Sequence, residues 1–151
     1  MRSVRAFLPV AGDPPRIVAV FEGPPDEWLP EAAALGPGHW SMRLHGSGLA
    51  RTVRTSVGTP WSSGGTVWRS LSWDPAELPT SPLARILPSC DGEVGIHLQG
   101  ERTTVVFDGR YLPPGGQFGV AVDALALSRI AQSTIGRLIA DIADRLTRAS
   151  L

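Results

Sequence analysis

The sequence is poor in several residue types that mark particular classes of protein. It has one cysteine, one tyrosine and two methionines, and all 14 of its basic residues are arginine. A single cysteine excludes an internal disulfide, and with only three histidines it leaves few ligands for a zinc site. The 14 acidic residues balance the arginines, so no overall positive field attracts nucleic acid. We therefore expect no metal, no cofactor and no nucleic-acid partner.

Long hydrophobic runs are also missing. No apolar segment approaches the roughly 20 residues that a transmembrane helix needs. The N-terminal stretch MRSVRAFLPVAGDPP reaches Pro9 and Gly12 before it attains the length of a signal-peptide core. These absences predict a protein without membrane insertion or export, and the single cysteine favours a reducing cytoplasm. The chain of 151 residues has the length of one domain, which we expect to span residues 1–151.

The N-terminal part of the chain has the pattern of one strand followed by two short helices. Residues 3–10 alternate loosely, as a strand does. Asp13, followed by two prolines, begins a predicted helix over about 16–22. A second short helical segment is predicted to run through Trp28 toward Ala34.

From position 39 the hydrophobic period is close to two, interrupted by turn-forming residues. This pattern predicts six strands, over residues 39–45, 49–57, 66–73, 83–87, 94–98 and 102–111. The short connections make neighbouring strands antiparallel. After residue 116 the period becomes helical, which predicts one amphipathic helix over about 119–149, with Asp123 in its first turns.

The predicted elements define an α+β architecture. A curved antiparallel sheet of six strands, or seven with the N-terminal one, is followed by a long C-terminal helix packed across it. A strongly curved sheet leaves space between the two layers, and alternation directs ten side chains into it: Trp40, Met42, Leu44, Val94, Ile96, Leu98, Thr103, Val105, Phe107 and Tyr111. On the strand over 66–73 both faces mix polar and apolar residues, so its inward face stays open.

The second half of the chain contains a set of residues that together form a recognisable pattern: Trp73, Leu87, Pro88, Asp91, Gly92, Thr103, Gly109, Tyr111, Pro113, Pro114, Gly119, Asp123, Ser128, Arg129, Ile130, Ala131 and Thr134. In these residues the chain resembles START-like proteins, the SRPBCC superfamily with its polyketide cyclase/dehydrase-like members, and in particular an uncharacterised small bacterial subgroup. The resemblance implies the helix-grip fold and a hydrophobic cavity between the sheet and the long helix. Members use that cavity for lipids, sterols, polyketide intermediates or plant hormones, and a few catalyse cyclisation or dehydration in it.

A set of cavity candidates follows from the alternation and from the resemblance. They are Trp40, Met42, Arg69, Trp73, Ile96, Thr103, Phe107, Tyr111, Thr134 and Leu138. In this hypothesis the tryptophans line the cavity, while Thr103 and Tyr111 orient a ligand. Core packing is the alternative explanation for the same aromatic residues.

The remaining reactive residues have ordinary explanations. Cys90 is expected in a turn with no histidine near it in the sequence. The three histidines, at positions 39, 45 and 97, are expected on the outer face, and so are the strand arginines, with Arg69 the least clear. The stretch of residues 46–48, Gly-Ser-Gly, fits a hairpin turn, because it lacks the context of a phosphate loop or a nucleophile elbow.

The sequence therefore predicts binding of an apolar small molecule, such as a lipid or a polyketide, without chemistry and with no catalytic residue. The alternative is a cyclase/dehydratase-like enzyme in which Tyr111, Arg69 or a cavity histidine polarises a carbonyl or moves a proton. A scaffold protein with a filled core is a third interpretation. Binding leads because the inward positions are apolar and no titratable groups converge on one point.

Overall fold

The structure is a computed structural model that describes residues 2–46, 49–75, 89–112 and 124–151. Its elements, in chain order, are β1 Arg2–Val10, α1 Pro14–Glu22, a 3₁₀ helix Pro25–Glu27, β2 Ala33–Gly36, β3 His39–Gly46, β4 Leu49–Val57, β5 Trp61–Ser63, β6 Thr66–Pro75, β7 Ser89–Gln99, β8 Arg102–Leu112 and α2 Ala124–Ala149.

The strands form one antiparallel sheet in the order β1-β8-β7-β6-β4-β3-β2, and β5 pairs with β6 outside this path. The first strand completes the sheet beside the last one, with Val10 opposite Thr103. Helix α2 packs against the sheet and approaches β1, β3 and β8 most closely. The predicted α+β helix-grip architecture is confirmed, including the two short helices after strand one and the N-terminal strand within the sheet.

The core lies between the sheet and the helices. Helix α2 buries one side, formed by Ala131, Thr134, Ile135, Leu138, Ile139, Ile142, Ala143 and Leu146. Close approaches occur at two glycines, one near each end of this buried side: a Cβ atom on Gly46 would overlap the Thr134 hydroxyl, and one on Gly12 would lie 3.0 Å from Oγ of Ser150. Phe21 of α1 and Trp28 after the 3₁₀ helix are also buried in this layer.

The register decides which face of β6 points inward. Arg69, Leu71 and Trp73 are buried, whereas Ser70 is exposed. Because side chains alternate along a strand, Val67 belongs to the inward set, and Thr66, Trp68 and Ser72 belong to the outward set. Arg69 is therefore an inward residue, unlike Arg43 and Arg54, which are exposed.

Three details of the predicted elements were wrong. The second helical segment ends at Glu27, and the residues up to Gly36 include strand β2 instead of continuing a helix. A short strand, β5, lies in the predicted loop between β4 and β6. Strand β7 begins at Ser89, five residues before the predicted start at residue 94.

After the 3₁₀ helix, the carbonyl of Pro30 accepts a hydrogen bond from the backbone N–H of Arg43 on β3. This bond brings the segment to the edge of the sheet, where β2 then pairs with β3. The predicted strand over 83–87, the prolines at 113 and 114 and Asp123 lie outside the described residues.

Candidate functional site

Five register-matched residues form a row across the inner face of the sheet, near the end where β6 stops and β7 starts. Trp40 of β3 pairs with Thr55 of β4, which pairs with Trp73 of β6, and the row continues through Cys90 of β7 to Tyr111 of β8. We call this set the aromatic row. Four of its members are buried and Trp40 is half-buried. It unites three cavity candidates, Trp40, Trp73 and Tyr111, at one end of the interior.

The ring of Phe107 extends this aromatic surface toward Trp73. The two ring centroids lie 6.1 Å apart, with an angle of 38° between the ring planes. Phe107 occupies the space above Gly109, since a Cβ atom there would lie 2.7 Å from Cε1 of the phenyl ring. Gly92, which pairs with Gly109, also approaches the ring. Two glycines on neighbouring strands thus make room for one aromatic side chain.

The hydroxyl of Thr55 belongs to the aromatic row at the position between its two tryptophans. Thr55 is 0 % exposed, and its Oγ1 atom has no hydrogen-bond partner among the described residues. An unpartnered hydroxyl in an apolar interior destabilises a protein by about 1–3 kcal/mol. Within the described ranges, two further buried polar atoms also lack a partner, Nε1 of Trp28 and Oγ1 of Thr103.

Thr55 is not among the cavity candidates predicted from the sequence, although its place in the strand alternation indicates an inward side chain. Thr55 shares the parity of Val53 and Val57, both of which are buried. A threonine between two inward valines predicts an inward hydroxyl. Which residues flank this hydroxyl depends on the pairing of β4 with β3 and β6, and the sequence does not state that pairing.

Cys90 lies in β7 and is buried, so the prediction of a turn thiol was wrong. Burial and, to a smaller extent, the negative charge of Asp91 raise the pKa of the Cys90 thiol to about 12, although a hydrogen bond from the Asp91 backbone acts in the opposite direction. The thiol is therefore protonated at neutral pH and is a poor nucleophile.

Thr103 and Tyr111, the two expected polar handles, lie at opposite ends of β8. Eight residues separate them, which corresponds to roughly 26 Å along a strand. Thr103 pairs instead with Leu98 and Val10. A compact ligand in contact with Tyr111 therefore does not reach Thr103.

Arg69 is bound to the backbone around α1. Its Nε donates to the carbonyl of Gly58 at 2.8 Å, and its Nη1 donates to the carbonyls of Phe21 and Gly23 at 2.9 and 2.7 Å. Its guanidinium carbon also lies 5.7 Å from the ring centroid of Trp28. Burial lowers the pKa of Arg69, an effect that the charge of Glu22 opposes. Because Arg69 belongs to β6, its bonds to Phe21 and Gly23 connect the end of α1 to the sheet.

The other cavity candidates lie in the same interior but away from the row. Met42, Ile96 and Leu138 are fully buried among apolar side chains. Thr134 is buried too, and its hydroxyl donates to the carbonyl of Ile130 at 2.8 Å within α2. A threonine hydroxyl that bonds to the preceding turn of its own helix already has its acceptor.

The histidines lie apart from one another and are half-buried. Nδ1 of His97 lies 2.8 Å from the hydroxyl of Thr66, and Nδ1 of His39 lies 3.2 Å from that of Ser56. By strand parity both pairs belong to the outer face. In the part of the chain that the structure describes, no group of three or more potential ligands converges to hold a metal ion.

A polar surface cleft of about 460 Å³ lies between the 3₁₀ helix region and the C-terminal half of α2. Several of its charges are paired with each other: Arg137 with Asp141 and Arg148 with Asp144, both at 3.1 Å. Its lining comprises Glu27, Pro30, Glu31, His45, Arg137, Asp141, Asp144, Arg145, Arg148 and Ala149. These residues form a charged surface that is distinct from the apolar interior.

Two of the five tryptophans belong to the outer face. Trp61 of β5 pairs with Trp68 of β6, which lies opposite Gly95 of β7. A Cβ atom on Gly95 would lie 2.7 Å from Cε3 of Trp68, so this indole covers the glycine. Trp61 is 41 % exposed. Trp28, Trp40 and Trp73 are thus the tryptophans of the interior.

Several solved protein structures match this chain. No protein-family model matches it, and no curated protein sequence does. A solved protein from Thermus thermophilus has a TM-score of 0.62 and 15% identity, covering 99% of this chain and 100% of that one. The Zhui aromatase/cyclase from a Streptomyces species has a TM-score of 0.58 and 15% identity, covering 99% and 93%. A STAR-related lipid transfer protein from Xanthomonas axonopodis has a TM-score of 0.56 and 14% identity, covering 97% and 86%.

These matches extend over nearly the whole chain, at identities that establish the fold alone. The protein has the START-like fold, also called the helix-grip fold. The STAR-related lipid transfer protein and the Zhui aromatase/cyclase share this fold with the chain. None of the helices in the described ranges has the length and hydropathy needed to span a membrane.

Proposed function

We propose that the protein binds an apolar small molecule between the inner face of the sheet and α2, and performs no reaction on it. The observation that carries this proposal is the aromatic row with Phe107 beside it, because aromatic side chains around a few polar groups are typical of ligand sites. The fold supports it as well, since one protein of similar structure is a lipid transfer protein.

The ionisable groups of the interior support binding over catalysis. Among the described residues, the buried groups that ionise are Arg69, Cys90 and Tyr111, with no buried histidine, aspartate or glutamate. The guanidinium of Arg69 is engaged by three carbonyls, and the thiol of Cys90 is neutral. General acid–base catalysis requires a proton donor or acceptor near the reacting atom, with a pKa close to the working pH.

The proposal is tested by native mass spectrometry together with a fluorescent probe. We expect the purified protein to carry a co-purified apolar molecule, seen as extra mass in the native spectrum and absent after denaturation. After removal of that molecule, we expect the protein to bind 1-anilinonaphthalene-8-sulfonate with an increase in the probe's fluorescence. If the native protein carries no such molecule and does not bind the probe, the proposed function is wrong.

A matched pair of tryptophan variants separates interior binding from binding at the surface. Trp40→Ala removes a half-buried indole of the aromatic row, whereas Trp61→Ala removes an exposed indole of the outer face. We expect Trp40→Ala to weaken probe binding more than its loss of stability explains, and Trp61→Ala to leave binding unchanged. A larger loss of probe binding in Trp61→Ala than in Trp40→Ala would mean that the probe binds at the outer face.

A further inference from the structure

Thr55 lies at a position where an interior ligand would meet one hydrogen-bonding group between two indoles. It is paired in register with Trp40 on one side and Trp73 on the other. Neighbouring strands lie about 4.8 Å apart, so the two tryptophan backbones are separated by about 10 Å across the sheet. The side chains of all three residues project from the same face, because register-matched residues on neighbouring strands share a face.

Among the residues that the structure describes, none forms a hydrogen bond with the Oγ1 atom of Thr55. Thr55 also has no exposed surface. Thr134 differs, because its buried hydroxyl donates to a carbonyl of its own helix. Valine has nearly the same shape as threonine and has no hydroxyl to leave buried and unpaired. Packing alone therefore gives no reason for a hydroxyl at position 55.

We propose that Thr55 is a specificity-determining residue that selects a flat, ring-shaped ligand bearing a hydroxyl or carbonyl oxygen. The ring lies between the side chains of Trp40 and Trp73, where indoles favour contact with a flat aromatic or fused-ring surface. The ligand oxygen forms a hydrogen bond with Oγ1 of Thr55, which both donates and accepts. A plain hydrocarbon or a flexible acyl chain leaves this hydroxyl unpartnered. The inference rests on the proposed function and adds a ligand class to it.

The proposed ligand combines a ring with an oxygen because the ring contacts the two indoles and the oxygen contacts the hydroxyl of Thr55. A group without an oxygen would contact the indoles and keep the hydroxyl buried and unpaired, so such a ligand binds more weakly than one whose oxygen pairs with the hydroxyl. A strongly charged group is disfavoured, because no described residue offers a free charge in the row: the thiol of Cys90 is neutral and Thr55 is uncharged.

The test compares 2-naphthol with naphthalene, two probes that share a ring system and differ by one hydroxyl. Binding is measured by quenching of tryptophan fluorescence in the wild type and in Thr55→Val, Thr55→Ser and Thr52→Val. Thr52 is exposed on the opposite face of the same strand, so Thr52→Val makes the same chemical change away from the interior. Thermal unfolding of each variant is recorded alongside.

The expected result is a preference of the wild type for 2-naphthol by roughly three- to tenfold, the range of one net hydrogen bond. Thr55→Val loses this preference and keeps naphthalene binding, with its thermal midpoint unchanged or raised. Thr55→Ser and Thr52→Val keep the preference. A Thr55→Val variant that still prefers 2-naphthol overturns the role of Thr55 and leaves the proposed function standing. A wild type that binds neither naphthalene nor 2-naphthol overturns the ligand class. If it also binds no 1-anilinonaphthalene-8-sulfonate and carries no co-purified molecule, the proposed function itself is wrong.

Discussion

The thiol of Cys90 has a raised pKa because the folded chain buries it. In the sequence it stands beside Asp91 and Gly92, which favour a turn. In the sheet it lies between Trp73 and Tyr111, with a side chain that is buried from water. Burial raises the pKa of the thiol from its ordinary value of 9.0 to about 12.

The raised pKa of Cys90 predicts a loss of stability in alkaline solution. Between pH 9 and pH 12 the thiol ionises in the unfolded chain before it ionises in the native protein, so the unfolded state is favoured as the pH rises through this interval. We expect the urea midpoint of the wild type to fall more than that of Cys90→Ala when the pH is raised from about 8 to about 10.5. Parallel falls in the two proteins would show that the thiol does not contribute.

The role of Arg69 cannot be decided from its neighbours in the sequence. Its parity with Leu71 and Trp73 indicates an inward direction, but an inward arginine in an apolar strand fits a ligand site as well as a structural contact. Two of its acceptors, the carbonyls of Phe21 and Gly23, are 48 and 46 residues away in the chain. Only the fold brings them to the guanidinium, and they identify a residue that stabilises α1.

At the scale of elements, the pairing of β7 with β8 depends on two glycines that face each other, Gly92 and Gly109. A Cβ atom on Gly92 would lie 2.7 Å from the carbonyl oxygen of Asp108 and 2.7 Å from Cα of Gly109. Both of these atoms belong to the backbone of β8, so a rotamer change cannot relieve the contact. The two strands must separate to admit a side chain here.

Gly92→Ala is therefore expected to lower the free energy of unfolding by roughly 1–3 kcal/mol, the usual cost of overpacking. Gly36→Ala in strand β2 is the matched control, since a Cβ atom there meets nothing within 4 Å. We expect this control to change stability by no more than about 0.5 kcal/mol. Urea unfolding of the two variants measures both values, and equal effects would contradict the close approach of the strands.

The long elements could be predicted from the sequence, because their hydrophobic period persists over many residues. Strands β3, β4, β6 and β8 begin where alternation begins, and the described part of α2 lies within the predicted helix. Strands β2 and β5 could not be predicted in this way. They have four and three residues, none of them buried, and they exist because a neighbouring strand offers an edge to pair with.

For the whole molecule, the order of elements was sufficient to predict the two-layer fold but not the arrangement of its interior. The candidates Trp40, Trp73 and Tyr111 lie in one row because β3, β4, β6, β7 and β8 pair in that order. Thr103 shares a strand with Tyr111 and yet lies at the other end of the sheet. Pairing order and register are long-range properties, and the sequence leaves both undecided.

The central claim, a ligand in the interior beside the aromatic row, is tested most directly by the five indole N–H signals in the NMR spectrum of the ¹⁵N-labelled protein. Trp28, Trp40 and Trp73 report on the interior, and Trp61 and Trp68 report on the outer face. On titration with 2-naphthol we predict that the signals of Trp40 and Trp73 shift while those of Trp61 and Trp68 stay in place. Shifts confined to Trp61 and Trp68, or no shifts at a saturating concentration of the probe, would contradict the account.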